Sequence, residues 1–295
     1  MPPAPPFGDF IHPFRIEGLG VHGRLVRLGA AAEGILAPHA YPPAIATMMG
    51  EAVALAAALA GGLKFDGMLT LQTQGDGPLG MMVANVSSDG DMRGYARFDA
   101  GRLDAVAMAG DAVPALLGEG HLAFTMDQGE DTDLYQGITA LGGATLADTA
   151  RAYFRQSEQL ETAIVLAATP GDDNGARAAA LMLQHPPAGE TEEDSWRRAE
   201  ILTDSVTTAE LLDPALTPSD ILFRLYHGDG VRVFRPKPLR FACRCSSERV
   251  ENTLRSFPRA EIEDMKVDGR VFVTCEFCKA DYTFDETAIE TLYAS

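Results

Sequence analysis

The chain has 295 residues, with 24 Lys or Arg against 42 Asp or Glu and a formal net charge of −18. That length allows one large domain or two smaller ones with a sizeable core, and the 46% hydrophobic share is that of a soluble globular protein. So acidic a surface repels phosphate backbones and anionic membranes, which argues against nucleic-acid and membrane partners, and it keeps a protein dissolved when apolar surface is exposed.

The first residues, Met1-Pro2-Pro3-Ala4-Pro5-Pro6, show no basic region followed by an apolar core. No secretory signal is expected, and the chain is expected to stay in a reducing cytoplasm with its thiols reduced. Residues 7–36 alternate apolar and polar positions around Ile16, Val21, Leu25 and Val26, which predicts one or two strands. Residues 44–60 are nearly all apolar and mostly alanine, but they number only 17 and contain Gly50 and Glu51. They predict a buried helix opened by Pro42-Pro43 and stopped by Gly61-Gly62, not a membrane span. A meander follows, with strands at 68–73, 81–86 and 93–98 and turns at 75–78 and 87–91. Two more strands are expected at 121–126 and 135–139, a helix at 146–160, and strands at 164–166 and 179–183. Mixed strands and helices with several hairpin turns predict an α+β fold, a mixed or antiparallel sheet domain with packed helices.

Composition changes at His185-Pro186-Pro187-Ala188-Gly189, and Glu190, Glu192, Glu193 and Asp194 lead into a helix. Its apolar positions, Trp196, Ala199, Leu202, Val206, Ala209 and Leu212, recur at steps of three and four as one stripe ended by Pro214. Thr217-Pro218-Ser219-Asp220 opens another helix, and Val231 to Phe234 reads as a strand. The expected organisation is a core domain over 1–187, a helical linker over 188–240 and a small C-terminal module over 241–295. Short amphipathic helices need a docking partner to stay folded, so the linker is either a plain connector or an element poised to unfold.

All four cysteines fall in that last module, as Cys243-x-Cys245 and Cys275-x-x-Cys278. Two close pairs separated by 29 residues can build one tetrahedral site for Zn²⁺, which accepts four thiolates at about 2.3 Å each. A zinc knuckle that only staples the module is the commonest use of such spacing. The single residue inside the first pair is tighter than usual, which points to a site that can be opened. Residues 241–295 hold seven Lys or Arg against eleven Asp or Glu, so the module lacks the basic face of a nucleic-acid-binding ribbon. No nucleophile elbow, phosphate-cradling loop or His-Glu-x-x-His motif is present, and the six histidines are scattered, so an enzyme is not expected.

The cysteine pairs, flanked by Leu225-Tyr226-His227 and by Asp281-Tyr282-x-Phe284, resemble those of the redox-regulated thirty-three-kilodalton heat-shock chaperone family. The likeness continues upstream in Leu63-Lys64-Phe65-Asp66-Gly67, Gln74-Gly75-Asp76-Gly77-Pro78, Met92-Arg93-Gly94, Tyr135-Gln136-Gly137 and Tyr153-Phe154-x-x-Ser157-Glu158-Gln159. The resemblance implies an ATP-independent holdase that is inactive while reduced and zinc-bound. On oxidation it implies disulfides Cys243–Cys245 and Cys275–Cys278, loss of the metal, unfolding of module and linker, and binding of unfolding client proteins. It also implies a homodimer in the oxidised state.

Elementary energetics agree with such a switch. A four-thiolate zinc site contributes about 10–16 kcal/mol to the folding of a small module. A disulfide closing three or four residues contributes about 1.5–2 kcal/mol, whereas one closing about 30 residues would contribute roughly 3.5 kcal/mol and keep the two turns tied. Arg244 and Lys279, next to the cysteines, are expected to tune oxidation rate. The linker stripe, with Trp196, Leu202, Val206 and Leu212, and the sheet surface beneath it form the expected client-binding surface. The rival reading is a zinc ribbon with a static structural metal that contacts protein or RNA, and a third is an enzyme with a structural zinc.

Overall fold

The computed structural model describes residues 7–63, 66–103, 112–128, 134–171, 175–185 and 193–293. The proline-rich start, Lys64 and Phe65 of one motif, and the acidic lead into the linker at 186–192, with the expected boundary at 187/188, lie outside the described residues. The chain divides into two units, 1–241 and 242–295.

Strands β1 (Phe10–Ile16) and β2 (Val21–Leu28) form a hairpin, and helix α1 (Ala30–Leu36) follows at once. The alternation read over 7–36 therefore ends at Leu28. Ala30-Ala31-Ala32 carries no β-branched side chain, and α1 buries Ala31, Ala32, Ile35 and Leu36.

Helix α2 (Pro43–Gly62) is long and apolar enough to cross a membrane, yet most of it is buried in this unit's core. Its alanines explain how. Both sheets pack on it, and small side chains let strand backbones come close on every side. A Cβ at Gly50 would lie 2.7 Å from the Ala168 methyl. Gly61 and Gly62, expected to stop the helix, are its last two residues, and the extended backbone of Leu63 ends it.

The meander is present as β3 (Met68–Gly75), β4 (Leu79–Ser87) and β5 (Asp91–Phe98), with a short helix α3 (Ala100–Leu103) after it. Strands β6 (Gly120–Asp127) and β7 (Tyr135–Ala140) extend the sheet from β3. Helix α4 (Leu146–Tyr153) opens with a capping box between Thr145 and Asp148. It passes into a π-turn over Phe154–Glu158 and stops at Gln159, whose φ of 55° is left-handed, so the helix expected to Leu160 is shorter and ends in a wider turn. Strands β8 (Thr162–Thr169) and β9 (Arg177–Gln184) complete the other sheet beside β2.

The linker is not one helix. It forms α5 (Glu193–Asp204), α6 (Thr208–Leu212) and α7 (Pro218–Tyr226). The stripe of threes and fours hid a break, because Thr207 and Glu210 form a capping box that starts a new helix. Thr217 and Asp220 do the same for α7. The chain then returns along earlier strands: β10 (Val231–Val233) and β11 (Lys237–Pro238) pair with β1, and β12 (Arg240–Phe241) pairs parallel to β5. One sheet thus runs β10-β1-β2-β9-β8, with β11 also on β1, and the other β12-β5-β4-β3-β6-β7.

Strand alternation gives the first sheet two apolar faces. Val26, Leu28, Ala178, Ala180 and Met182 face α2 and the second sheet in one core. Val21, Leu25, Ala179, Leu181 and Leu183 face the linker helices in another.

The C-terminal unit holds α8 (Ser247–Arg255), α9 (Arg259–Asp264), the hairpin β13 (Val271–Thr274) and β14 (Asp281–Phe284), and α10 (Glu286–Tyr293). Its core comprises six buried residues, Leu254, Ile262, Val271, Phe284, Ile289 and Leu292. Full burial of such side chains contributes about 1.5–3 kcal/mol each, while ordering each residue costs about 1–2 kcal/mol of backbone entropy. So small a core needs a further clamp.

Candidate metal centre and linker lock

Cys275 and Cys278 sit in the turn between β13 and β14. Cys275 N–H donates to Ala280 O at 2.9 Å, and Lys279 N–H donates to Cys275 O at 2.9 Å. Lys279 takes a left-handed φ of 57° to close this turn. Cys243 and Cys245 lie in the extended segment before α8, whose first turn is capped by Ser246.

The four Sγ atoms lie within 4.8 Å of one another, and all four residues are half-buried. Cys243 and Cys275 sulfurs are 3.7 Å apart, and those of Cys245 and Cys278 are 3.4 Å apart. A tetrahedron of sulfurs at 2.3 Å from one ion has edges of about 3.8 Å, so this donor set fits a metal that takes four thiolates. Both contacts run between the two sequence pairs. The cluster joins the segment before α8 to the β13–β14 turn.

The thiols are not equivalent. Burial pushes Cys278 up to about 12 and also raises Cys243. Burial would raise Cys245 too, but hydrogen bonds from the Tyr282 hydroxyl and the other three thiols outweigh it and bring Cys245 down to about 7. The bond to Cys245 in turn pushes Tyr282 up to about 12. Tyr282 was missed as a site residue because the sequence offers it as one more apolar aromatic. Its signal is register: it pairs with Val273 next to the cysteine turn. Arg244 is exposed, and the Lys279 ammonium lies 3.4 Å from Glu276.

Trp196, Val206 and Leu212 are buried and Leu202 is half-buried, all in the cluster between the linker helices and the first sheet. The structure thus brings the four linker residues onto one surface, with Phe14, Leu25 and Leu181 beneath. Trp196 stacks edge-on against His185 at 5.2 Å, and the Thr203 and Tyr226 hydroxyls meet at 2.8 Å in the interior.

One buried residue was not foreseen. Arg27, 0% exposed on β2, reaches through the linker-facing side of the sheet. Its guanidinium donates to Leu211 O at 2.7 and 2.9 Å, to Asp213 O at 2.6 Å and to Leu216 O. It also lies 4.3 Å from the centre of the Phe7 ring. Those carbonyls belong to the end of α6 and the turn after it, where helix carbonyls lack partners. Arg27 fastens the linker by its backbone.

The model of the family described as Hsp33 protein matches residues 9–285. The chain belongs to the Hsp33 family. A 33 kDa chaperonin of Caulobacter vibrioides is 42% identical over 287 residues, 94% of this chain and 95% of its own length. One from Azotobacter vinelandii is 40% identical over 293 residues, 97% and 95% of the two chains. The crystal structure of a 33 kDa chaperonin (heat shock protein 33 homolog) from Thermotoga maritima matches with a TM-score of 0.82 at 23% identity, covering 96% of this chain and 97% of that one. The α+β architecture is therefore the Hsp33 fold, and the four clustered cysteines lie within the residues the family model matches.

Proposed function

We propose that this Hsp33-family chaperone is a redox-switched holdase, silent while its thiols are reduced and active on unfolding client proteins once they are oxidised. The observation that carries this reading is the convergence of four sulfurs within 4.8 Å in a unit with six buried core side chains among its described residues. Cys243, Cys245, Cys275 and Cys278 would hold one Zn²⁺, which when bound keeps the thiols deprotonated and ties the two segments together. Thiolate is the form that peroxide oxidises. Two thiolates give up two electrons per disulfide, and one peroxide takes those electrons with two protons from solvent to leave two waters. Pairing Cys243 with Cys245 and Cys275 with Cys278 consumes all four ligands and leaves only local staples, so the module loses its clamp.

The linker follows. Cys243 begins two residues after β12, and α5 to α7 hold their apolar side chains against the first sheet. Release of that surface would expose Trp196, Leu202, Val206 and Leu212 together with the sheet face beneath them, a contiguous apolar area suited to unfolding chains. The acidic surface keeps the opened protein dissolved in the cytoplasm.

The test follows metal release and light scattering together, with purified reduced chain, a thermally aggregating protein, and peroxide added or withheld. The expected result is metal release with suppressed aggregation, both reversed by reductant and zinc. Retained metal and unhindered aggregation under stronger oxidants would leave a static zinc module instead.

A further inference from the structure

Two motifs that the cysteine switch does not use, Tyr135-Gln136-Gly137 and Tyr153-Phe154-x-x-Ser157-Glu158-Gln159, meet in the first unit. They border a cleft of about 420 Å³ between the end of α2, β3, β6 and the turn after α4. Its walls are apolar: Leu59, Leu69, Phe124, Met126, Phe154 and Leu160. Ring contacts hold the wall in shape, with Phe124 at 4.8 Å and Phe154 at 5.3 Å from Tyr153 between ring centres.

The polar groups on this cleft are few. Glu158 accepts from the Tyr153 hydroxyl at 2.7 Å and from the Tyr135 hydroxyl, so both tyrosine donors are engaged. Gly137 makes this possible, since a Cβ there would lie 2.0 Å from the Tyr153 oxygen. Arg24 is different. It projects from β2 on the face opposite Arg27, and its guanidinium donates to Gln184 Oε1 at 2.9 Å and to the Met182 sulfur at 3.8 Å. Both partners are neutral. Among the described residues no carboxylate lies within 4 Å of it. Burial alone pulls its pKa down to about 10, so it stays charged at neutral pH. Room is kept for it: a Cβ at Gly62 would lie 2.1 Å from its Nη2.

A half-buried cation with no carboxylate within 4 Å among the described residues, at one side of an apolar cleft of ligand size, calls for an anion with an apolar tail. We propose that this cleft binds one alkyl monocarboxylate, its carboxylate paired with Arg24 and its chain laid along Leu59, Leu69, Phe124 and Met126. Guanidinium and carboxylate match in a two-point hydrogen-bonded pair, which returns to Arg24 the charge partner that folding removed from water. The alkyl chain gains by leaving water against these walls. A peptide C-terminus offers the same carboxylate, but its amides would meet walls that give them no partners.

The test is calorimetric titration of the reduced, zinc-loaded full chain with hexanoate, octanoate and octanol. One saturable site is expected, with octanoate tighter than hexanoate by roughly fourfold per methylene. Octanol should bind at least tenfold more weakly than octanoate. Arg24→Gln should lose at least tenfold in octanoate affinity while Arg24→Lys keeps most of it. Met126→Trp, which fills the cleft and leaves Arg24 in place, should abolish binding and serves if Arg24→Gln does not fold. Equal binding of octanol and octanoate, unsaturable partitioning, or binding untouched by Arg24→Gln or by Met126→Trp would overturn the assignment. Since the titration uses reduced protein, its outcome is independent of the redox reading.

Discussion

Replacing Arg27 by methionine keeps an apolar stem of similar length and removes every hydrogen bond that the guanidinium makes to the linker. Three carbonyls, those of Leu211, Asp213 and Leu216, lose their donor. Hydrogen bonds to a charged group contribute about 1.5–3 kcal/mol each, and removing the buried cation recovers several kcal/mol of its desolvation cost. The net loss is about 2–4 kcal/mol of linker docking, or roughly 30- to 1,000-fold in its equilibrium. The sheet core on the other face of β2 is unaffected by this change, so the loss should be local. Hydrogen exchange at amides 207–216 of the reduced Arg27→Met protein should therefore accelerate by that factor, while strands β3 to β6 keep wild-type protection. The same protein, still reduced and holding its metal, should suppress aggregation of a test client. Wild-type exchange at 207–216 together with no activity in the reduced state would refute the idea that Arg27 locks an inhibitory linker.

Val206→Ser and Leu202→Ser should act in the same direction through packing, Val206 by about 1–3 kcal/mol because it is buried and Leu202 by less because it is half-buried; urea unfolding and basal activity of the reduced protein measure both. Tyr282→Phe removes the hydroxyl that helps bring Cys245 down to about 7, so in the metal-free reduced protein alkylation of Cys245 at neutral pH should slow several-fold, and an unchanged rate would count against that hydrogen bond. Burial raises Glu51 from 4.5 to about 7, so the folded state holds its proton where the unfolded state has lost it. Stability is then lost as pH rises from about 4.5 through 7, and Glu51→Gln should match wild type near pH 4 and exceed it by up to about 3 kcal/mol above pH 7, as read by thermal unfolding.

The residues told most where a pattern and a local chemistry coincide. The buried alanine helix, the three-strand meander and the cysteine cluster all fall where spacing put them, because each rests on contacts that neighbouring residues declare. The linker stripe was correct in its inward face at Trp196, Ala199, Leu202, Val206 and Leu212, but Ala209 is exposed and Leu211 is buried instead, and its continuity was wrong, since Thr207 and Glu210 end one helix and begin another. What was not legible depends on residues far apart. The pairing of β10 and β11 with β1 joins segments more than 200 positions apart, and nothing in Val231–Val233 names its partner. The sequence singles out neither Arg24 nor Arg27. Only the arrival of α6 over one face buries Arg27, and only that of the α2 terminus over the other half-buries Arg24.

Trp196 is the only tryptophan in the chain, and it is 7% exposed in the linker cluster. Its emission therefore reports directly whether the linker lies on the sheet. Following that emission and metal release in one sample after peroxide should show both changing together, with Trp196 shifting to the red as it meets water and returning when reductant and zinc are restored. Release of the metal with Trp196 emission unchanged would contradict the claim that oxidising the four cysteines undocks the linker.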